Sequence, residues 1–210
     1  MSRPSHNHLS PLSWHWLTPF YDLGCSLTGL GIRFKQKILD LIPLKKGQTV
    51  VDIGCATGVF LKLAGLRYPD VTFIGVDPDR DALAIAQRRL QRSGVTTKLQ
   101  QSFAQALPLP DQSVDACFST LAFHHMPNDI KRKAILEMYR VLKPGGMTVI
   151  VDFGESNNRF WRKFLFFEKW EYLEGNLNGL IPRYLTEAGF ANPQFIAKHW
   201  PGITMIKAQK

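Results

Sequence analysis

Between residues 49 and 153, short apolar runs alternate with amphipathic helical patterns, and this order limits the possible folds more than any other feature. The apolar runs have the length of buried strands and lie at Thr49–Ile53, 71–76, 114–119 and 147–153. The helical patterns between them cover Val59–Arg67, 80–91 and 130–142. Parallel strands joined by right-handed helical crossovers form a sheet with helices on both faces. The sequence therefore predicts an α/β fold with an open, doubly wound sheet, in which ligands bind at the carboxyl ends of the strands.

The two ends of the chain depart from this alternation. Two short runs at 195–200 and 203–208 flank Pro201-Gly202, which predicts an antiparallel hairpin that closes the sheet. Near the other end there are four aromatic residues: Trp14, Trp16, Phe20 and Tyr21. They precede a helix-like stretch that contains Ile32, Ile38, Leu41 and Ile42. We therefore predict an aromatic and helical cap over residues 1–44 and one main domain over residues 45–210.

Length and composition exclude several classes of protein. A chain of 210 residues with 45% hydrophobic and 20% charged residues is typical of one globular domain, not of a disordered or coiled-coil protein. It has no run of 18 apolar residues that could span a membrane and no signal peptide pattern near residue 1, so we expect a cytoplasmic protein. Three scattered cysteines, Cys25, Cys55 and Cys117, suggest neither a disulfide framework nor a zinc site. The net charge of +9 favours an anionic partner, which could be a membrane surface, a nucleic acid or an acidic small molecule.

The first strand leads into the sequence VVDIGCATG at 50–58, which has the form of a nucleotide-binding turn. Gly54 permits a tight turn, and a helix that begins near Gly58 directs unpaired N–H groups toward a ligand. Val59 stands where a dinucleotide fingerprint requires its third glycine, and the G-K-[ST] of a phosphate-binding loop is absent. The carboxylate of Asp52 suits a cationic ammonium group better than a pyrophosphate. The turn therefore favours a positively charged nucleoside.

This stretch resembles motif I of the class I S-adenosylmethionine-dependent methyltransferases. Four later segments agree with the family in order and spacing: GVDP at 75–78, LPLPDQSVD at 107–115, STLAFHHM at 119–126 and VLKPGG at 141–146. The match is close over residues 45–153 and loose over the C-terminal hairpin. The resemblance implies a Rossmann-like sheet of seven strands with a C-terminal antiparallel hairpin, and S-adenosyl-L-methionine as the cofactor.

The resemblance also assigns residues to the cofactor. The family uses the position of Asp77 to bind both ribose hydroxyls, and the full predicted cofactor set is Asp52, Gly54, Cys55, Ala56, Gly58, Asp77, Pro78, Phe103, Ala104 and Ser119. Two positions depart from the family. Ala56 replaces its second glycine, so we expect a slightly shifted turn with backbone angles that alanine tolerates. Phe103 replaces the acid that binds the adenine amino group, so Phe103 would flank the adenine while the backbone of Ala104 contacts the ring edge.

The reaction implied by the family is displacement of a methyl group from sulfonium sulfur. Tyr21 and Phe123 are candidates for aromatic contacts with that positive charge. Alignment of the reactants can supply most of the acceleration, but a hydroxyl acceptor would benefit from a base, and His124 or His125 is the natural choice. Neighbouring histidines rarely bind one ion together, so we predict no metal.

A segment at 159–173 combines many aromatic residues with basic ones. It could be a helix packed on the sheet, or a lid-like insertion, about 155–180, that covers a lipophilic methyl acceptor. Candidate contacts for that acceptor are Trp161, Phe164 and Trp170. The basic residues nearby, which include Arg159, Arg162 and Lys163, could touch an anionic membrane surface.

The sequence thus predicts a methyltransferase for a small, lipophilic acceptor of quinone, lipid or natural-product type. The nearest pattern is the branch that resembles ubiquinone/menaquinone-biosynthesis methyltransferases and phospholipid N-methyltransferases. The alternative is a catalytically silent module that binds S-adenosylmethionine and serves in interactions. A protein or nucleic-acid methyltransferase is disfavoured because residues 119–122 read STLA where amino-group methyltransferases carry N/D-P-P-Y.

Overall fold

A computed structural model describes residues 29–154, 170–199 and 202–210. The strands are β1 Thr49–Ile53, β2 Thr72–Asp77, β3 Lys98–Gln101, β4 Val114–Thr120, β5 Leu142–Phe153, β6 Ala191–His199 and β7 Ile203–Gln209. The helices are α1 Ile32–Asp40, α2 Val59–Arg67, α3 Arg80–Arg92, α4 Asn128–Val141, α5 Trp170–Leu177 and α6 Leu180–Glu187, with a short 3₁₀ turn at Phe123–His125.

The strands form one seven-stranded sheet in the order β3-β2-β1-β4-β5-β7-β6. The five strands from β3 to β5 are parallel, whereas β7 is antiparallel to both β5 and β6. The chain order reverses at β1, which lies between β2 and β4. The predicted α/β architecture with a C-terminal antiparallel hairpin is confirmed.

Apolar side chains cover both faces of the sheet. Val50 and Val51 are neighbours in β1, yet they belong to different apolar clusters, because successive side chains of a strand point to opposite faces. Burial on both faces explains why β1 reads as a continuous apolar run. Asp52 breaks that run, and it lies beside Gly75 of β2 and Phe118 of β4.

Helix α1 belongs to the segment that the sequence assigns to a cap, and it packs directly against the sheet. Phe34, Ile38 and Leu39 are buried in the same apolar cluster as Val50. Two other apolar residues of the predicted helix-like stretch, Ile32 and Leu41, are 56% and 48% exposed. Ile32 is the first residue of α1, and Leu41 lies just beyond its last residue.

The start of β5 and the presence of β3 differ from the predictions. The strand predicted to begin at Met147 begins at Leu142 and runs through Pro144-Gly145-Gly146, directly after α4 ends at Val141. Strand β3, with the sequence KLQQ, was not located in the sequence because this short edge strand has no apolar run. None of the described helices is long and apolar enough to cross a bilayer.

Candidate active site at the carboxyl ends of the parallel strands

The loop that follows β1 makes a tight left-handed turn before α2. Gly54 has φ +75° and Gly58 has φ +74°, a region that favours glycine. A Cβ at Gly54 would lie 2.4 Å from the Cβ of Ala122, and one at Gly58 would lie 2.9 Å from the Cβ of Ala86. Both positions therefore require glycine for two reasons, the backbone angle and the close approach of a neighbouring segment.

Ala56 adopts the same left-handed region, with φ +46°. The expectation of a shifted turn with ordinary angles is therefore wrong. The N–H of Ala56 donates a hydrogen bond to Oδ2 of Asp77 at 2.8 Å, which holds the residue in this conformation. The turn keeps the geometry of a glycine although it carries a methyl group, and this conformation is strained.

This strain gives a prediction about stability. Replacing Ala56 with valine is expected to lower the free energy of unfolding by about 1–3 kcal/mol, because a β-branched residue at positive φ is strongly disfavoured. Replacing it with glycine is expected to change that free energy by less than about 1 kcal/mol, because relief of strain is offset by greater freedom of the unfolded chain. Urea denaturation of both variants measures the difference. Equal stability of the two variants would contradict a strained turn.

Asp52 and Asp77 are two buried carboxylates beside this turn, at the ends of β1 and β2. Asp52 is 2% exposed and Asp77 is 4% exposed. Burial raises the pKa of Asp52 to about 7, against an opposing effect of Lys35, and the charge of Asp77 raises it further. Burial also raises the pKa of Asp77 to about 6, while hydrogen bonds from the N–H groups of Asp79 and Ala56 lower it. The two acids are therefore close enough to interact, at the place where the sheet order reverses.

One oxygen of Asp52 lacks a partner. Oδ1 is buried and receives no hydrogen bond from any residue in the described ranges. A buried polar atom without a hydrogen bond is costly, and such atoms often mark the place of a ligand. The atom needs a donor, preferably a cationic one.

The remaining predicted cofactor residues surround the same strand ends. The N–H of Ser102 donates to the carbonyl of Asp77 at 3.2 Å, so Phe103 and Ala104 follow directly beside that acid. Phe103 is half-buried and Ala104 is buried. The carbonyl of Pro78 accepts a hydrogen bond at 3.1 Å from Nε2 of Gln101.

Two residues of the predicted cofactor set have structural roles. The N–H of Cys55 donates to the carbonyl of Val76 at 3.1 Å, its carbonyl accepts from Gly58 at 2.9 Å, and its thiol is buried. Both backbone groups of Cys55 are thus engaged inside the protein. The hydroxyl of Ser119 donates to the carbonyl of Ile53 at 2.9 Å and links β4 to β1. These hydrogen bonds connect the turn and the strands that form the site.

At the ends of β4 and β5, His124 forms a buried pair with Asp152. Nδ1 of the ring lies 2.9 Å from Oδ1 of the carboxylate. Asp152 also accepts hydrogen bonds from the N–H groups of Phe123 at 2.8 Å, His124 at 3.4 Å and Phe153 at 2.8 Å. Burial opposes ionisation of Asp152, but the charge and hydrogen bond of His124, the N–H of Phe153 and the charge of Lys131 together lower its pKa. An ionised Asp152 can only accept, so Nδ1 carries a proton and Nε2 is the nitrogen able to exchange one.

His125 differs from its neighbour. Its ring centroid lies 3.9 Å from that of His124. Burial lowers the pKa of His125 to about 3, and the charge of His124 lowers it further, against an opposing effect of Asp152. A base this weak accepts protons poorly near neutral pH. Of the two predicted candidates, the structure therefore favours His124.

The predicted contacts of the methyl acceptor are only partly described. Phe123 is fully buried in the apolar cluster on one face of the sheet, so its ring packs in the core. Trp170 is the first residue of α5. Tyr21, Trp161 and Phe164 lie outside the described residues. Within the described ranges, no group of three or more His, Cys, Asp or Glu side chains is placed to hold a metal ion.

Comparison with known proteins places this site in a family. A family model described as a methyltransferase domain matches residues 50–146, which include the turn, both buried acids and the two histidines. The chain is 32% identical over 139 residues to the demethylmenaquinone methyltransferase of Thermus thermophilus, a match that covers 65% of the chain and 62% of that protein. The predicted resemblance to the class I S-adenosylmethionine-dependent methyltransferases is confirmed.

Other methyltransferases match the chain over similar spans. The ubiquinone/menaquinone biosynthesis C-methyltransferase UbiE of Pasteurella multocida is 31% identical over 147 residues, which is 68% of the chain and 54% of that protein. The chain thus spans about 54–62% of the length of these two relatives. An S-adenosylmethionine-dependent methyltransferase from Aquifex aeolicus superposes with a TM-score of 0.65 at 22% identity, covering 83% of this chain and 88% of that one. The [4+2]-cyclase SpnF gives 0.65 at 17% identity, with 85% and 80% covered, and it shares the fold.

The residues present fit the cofactor of the family. An ammonium group at Asp52 would supply the donor that Oδ1 lacks and would favour the ionised carboxylate. Asp77 keeps lone pairs for hydroxyl donors beyond the two N–H groups it already accepts. A diphosphate would meet two buried acids at this turn, which is electrostatically unfavourable.

Three buried polar residues near His124 were not anticipated from the sequence. Asp152 lies inside the apolar run VIVDF, which the sequence predicts as a strand. A lone acid in such a run is nevertheless a signal of function. Lys131 is fully buried in α4 and Asn176 is buried in α5. Only the neighbouring positions of β4, β5 and these helices bring the three together.

Proposed function

We propose that this chain transfers the methyl group of S-adenosylmethionine to a small, lipophilic methyl acceptor of quinone type. The single observation that most supports this cofactor is that Oδ1 of Asp52, buried beside Asp77, has no hydrogen-bond partner among the described residues. The type of acceptor is supported by the relatives, which are named for demethylmenaquinone and for ubiquinone and menaquinone biosynthesis.

In this proposal each residue has a defined task. Asp52 binds the ammonium group, Asp77 binds the ribose hydroxyls, and Phe103 with the backbone of Ala104 flanks the adenine. The bound cofactor supplies a methyl group on a positively charged sulfur. His124 accepts at Nε2 the proton that the methyl acceptor loses, while Asp152 holds the ring through the Nδ1 proton. The fixed positions of these groups reduce the entropy cost of bringing the two reactants together.

An assay for methyl transfer tests the proposal. The purified chain is incubated with methyl-labelled S-adenosylmethionine and either a reduced naphthoquinone, a reduced benzoquinone or a phospholipid extract. We expect label in a quinone fraction. Cofactor binding without transfer to any fraction would favour the silent interaction module instead.

The raised pKa values of the two acids predict proton release on cofactor binding. In the free protein at pH 6, Asp52 with a pKa of about 7 is largely protonated. A cationic ligand favours the carboxylate, so binding is expected to release about one proton at pH 6 and fewer at pH 7.5. Calorimetry in two buffers of different ionisation enthalpy counts the protons. Asp52→Asn is expected to remove the release, and heats independent of the buffer at pH 6 would contradict the assignment.

The same pKa values fix the sign of their effect on stability. Because the folded chain holds these protons up to higher pH than the unfolded chain, Asp52 and Asp77 favour folding below their unfolded pKa values. Their contribution becomes less favourable as the pH rises from about 4 to 7. A saturating cationic ligand is expected to remove most of this loss.

We also propose that the chain contacts anionic membrane surfaces when it collects a lipophilic acceptor. The support is the net charge of +9 and the basic residues Arg159, Arg162 and Lys163, which lie outside the described residues. The chain is expected to sediment with anionic vesicles at low salt and to dissociate as salt screens the charges. The triple variant Arg159→Gln, Arg162→Gln, Lys163→Gln should sediment less. No sedimentation of the wild type at low salt would refute the idea.

A further inference from the structure

Asp152 connects the paired histidine to helix α5. Besides His124 and backbone N–H groups, its Oδ1 accepts a hydrogen bond at 3.0 Å from Nδ2 of Asn176. Asn176 is only 2% exposed. Because a carboxylate cannot donate, this bond fixes which end of the amide faces Asp152. The same carboxylate oxygen thus receives donors from His124 and from α5.

Helix α5 makes close contact with the first turn of α4. A Cβ at Gly175 would lie 2.1 Å from Oδ1 of Asn128, so a larger residue there requires the Asn128 side chain or α5 to shift. Leu173 and Leu177 of α5 are buried in the apolar cluster that also contains Phe153 of β5. The helix therefore docks with one face against the strand end that carries Asp152.

Lys131 joins α4 to α5 from within the protein. Its side chain is fully buried, and Nζ donates hydrogen bonds to the carbonyl of Tyr172 in α5 and to Oδ1 of Asn128 at 3.3 Å. Burial lowers the pKa of Lys131 to about 8, and the negative charge of Asp152 opposes that shift. A buried ammonium group is costly unless it is paired and hydrogen-bonded. Here Asp152 supplies the opposite charge, and the carbonyl of Tyr172 in the docked helix accepts a hydrogen bond.

We propose that Asn176 and Lys131 are positioning residues, through which docking of α5 holds Asp152 and so orients His124 for proton transfer. The inference rests on the proposed function for the role of His124 as proton acceptor. When α5 leaves, Oδ1 of Asp152 loses the donor of Asn176 and keeps only those of His124 and Phe153. Lys131 then loses the carbonyl of Tyr172. The titratable groups around Asp152 are His124, His125 and Lys131, and without α5 the buried cation Lys131 has lost its hydrogen bond to that helix. The proton acceptor is therefore complete only while α5 is docked.

The direct test uses the free protein and requires no substrate. Nitrogen NMR of the histidine rings reports the tautomer of His124, and hydrogen exchange reports the docking of α5. In the wild type we expect an Nδ1-protonated ring at pH 7.5 to 8 and protected amides in α5. Asn176→Leu, which keeps the branched shape and removes the donor, is expected to broaden or shift the His124 signal and to speed exchange in α5 at least about tenfold. Glu174→Gln, at an exposed position of the same helix, is the matched control and should change neither.

A second pair of variants keeps the proposal testable should one variant fail to fold. Lys131→Met keeps most of the length of the side chain and removes the charge. Gly175→Ala adds a methyl group that forces the Asn128 side chain, which accepts from Lys131, or α5 itself to shift. Both are expected to reproduce the effects of Asn176→Leu on the ring signal of His124. An unchanged His124 signal in a folded variant whose α5 exchanges faster would overturn the proposal.

Kinetics separate this inference from the proposed function. With an acceptor that is methylated, Asn176→Leu is expected to lower kcat about 10-fold to 100-fold and to leave KM for S-adenosylmethionine within about twofold. A loss confined to KM would contradict a positioning role. If no acceptor is methylated, the proposed function fails, whereas the NMR and exchange results still decide whether α5 orients His124.

Discussion

Replacing Asp77 with alanine is expected to weaken binding of S-adenosylmethionine at least about 100-fold. A hydrogen bond to a charged group contributes about 1.5–3 kcal/mol, and the proposed role gives Asp77 two such bonds to ribose hydroxyls. Loss of two bonds corresponds to at least about 3 kcal/mol, which is more than 100-fold in affinity. The variant also leaves the N–H groups of Ala56 and Asp79 without their present partner, so the turn itself is loosened.

Titration calorimetry measures this loss, and Asp115→Ala is its matched control. Asp115 lies at the opposite, amino end of the parallel strands, where its carboxylate accepts from the N–H of Thr49 at 2.8 Å and from Nζ of Lys143 at 2.9 Å. Its removal is expected to lower stability by about 1–3 kcal/mol without a change in affinity for the cofactor. Equal losses of affinity in the two variants would mean that Asp77 acts only on stability.

The second large effect is expected at the His124–Asp152 pair. His124→Phe is expected to lower kcat by about 100-fold or more, because a general base contributes about 10²–10⁴. Asp152→Asn should have a similar effect for another reason: an amide N–H facing Nδ1 moves the ring proton to Nε2, where it blocks proton acceptance. Single-turnover rates at saturating cofactor measure both variants.

His125→Phe provides the comparison for this pair. Because the pKa of His125 is lowered to about 3, its ring is a poor proton acceptor, and its replacement is expected to lower kcat less than about tenfold. Affinity for the cofactor should remain within about twofold in all three variants. A larger loss in His125→Phe than in His124→Phe would reverse the assignment.

Sequence reasoning succeeded where local chemistry and structure coincide. The bounds of β1 and α2 were predicted to the residue, because a β-branched run, a glycine turn and an apolar helix follow each other without interruption. The sequence also predicts that Asp52 and Asp77 lie close together, since Asp52 is the penultimate residue of β1, Asp77 is the last residue of β2, and parallel strands place their carboxyl ends together. The two carboxylates interact because β1 and β2 are adjacent in the sheet.

The remaining parts of the site depend on tertiary contacts that no local pattern contains. Asp152 meets His124 because β5 lies beside β4, a pairing between residues 28 positions apart. Lys131 occupies a helix position that a pattern of charges would assign to solvent, yet it is buried and donates a hydrogen bond to the carbonyl of Tyr172 in α5. The strained angle of Ala56 was likewise missed, since its cause is a hydrogen bond to Asp77 on another strand.

The hydrogen-bond partner of the Asp52 carboxylate in the presence of ligand is the most direct test of the proposed cofactor site. A crystal structure of the chain with S-adenosylhomocysteine measures it, because this ligand keeps the ammonium group, the ribose and the adenine of the cofactor. We expect the ammonium group in hydrogen-bond contact with Oδ1 of Asp52, and the ribose hydroxyls against Asp77. Density for the ligand at another place, with Oδ1 of Asp52 still without a donor, would contradict the account.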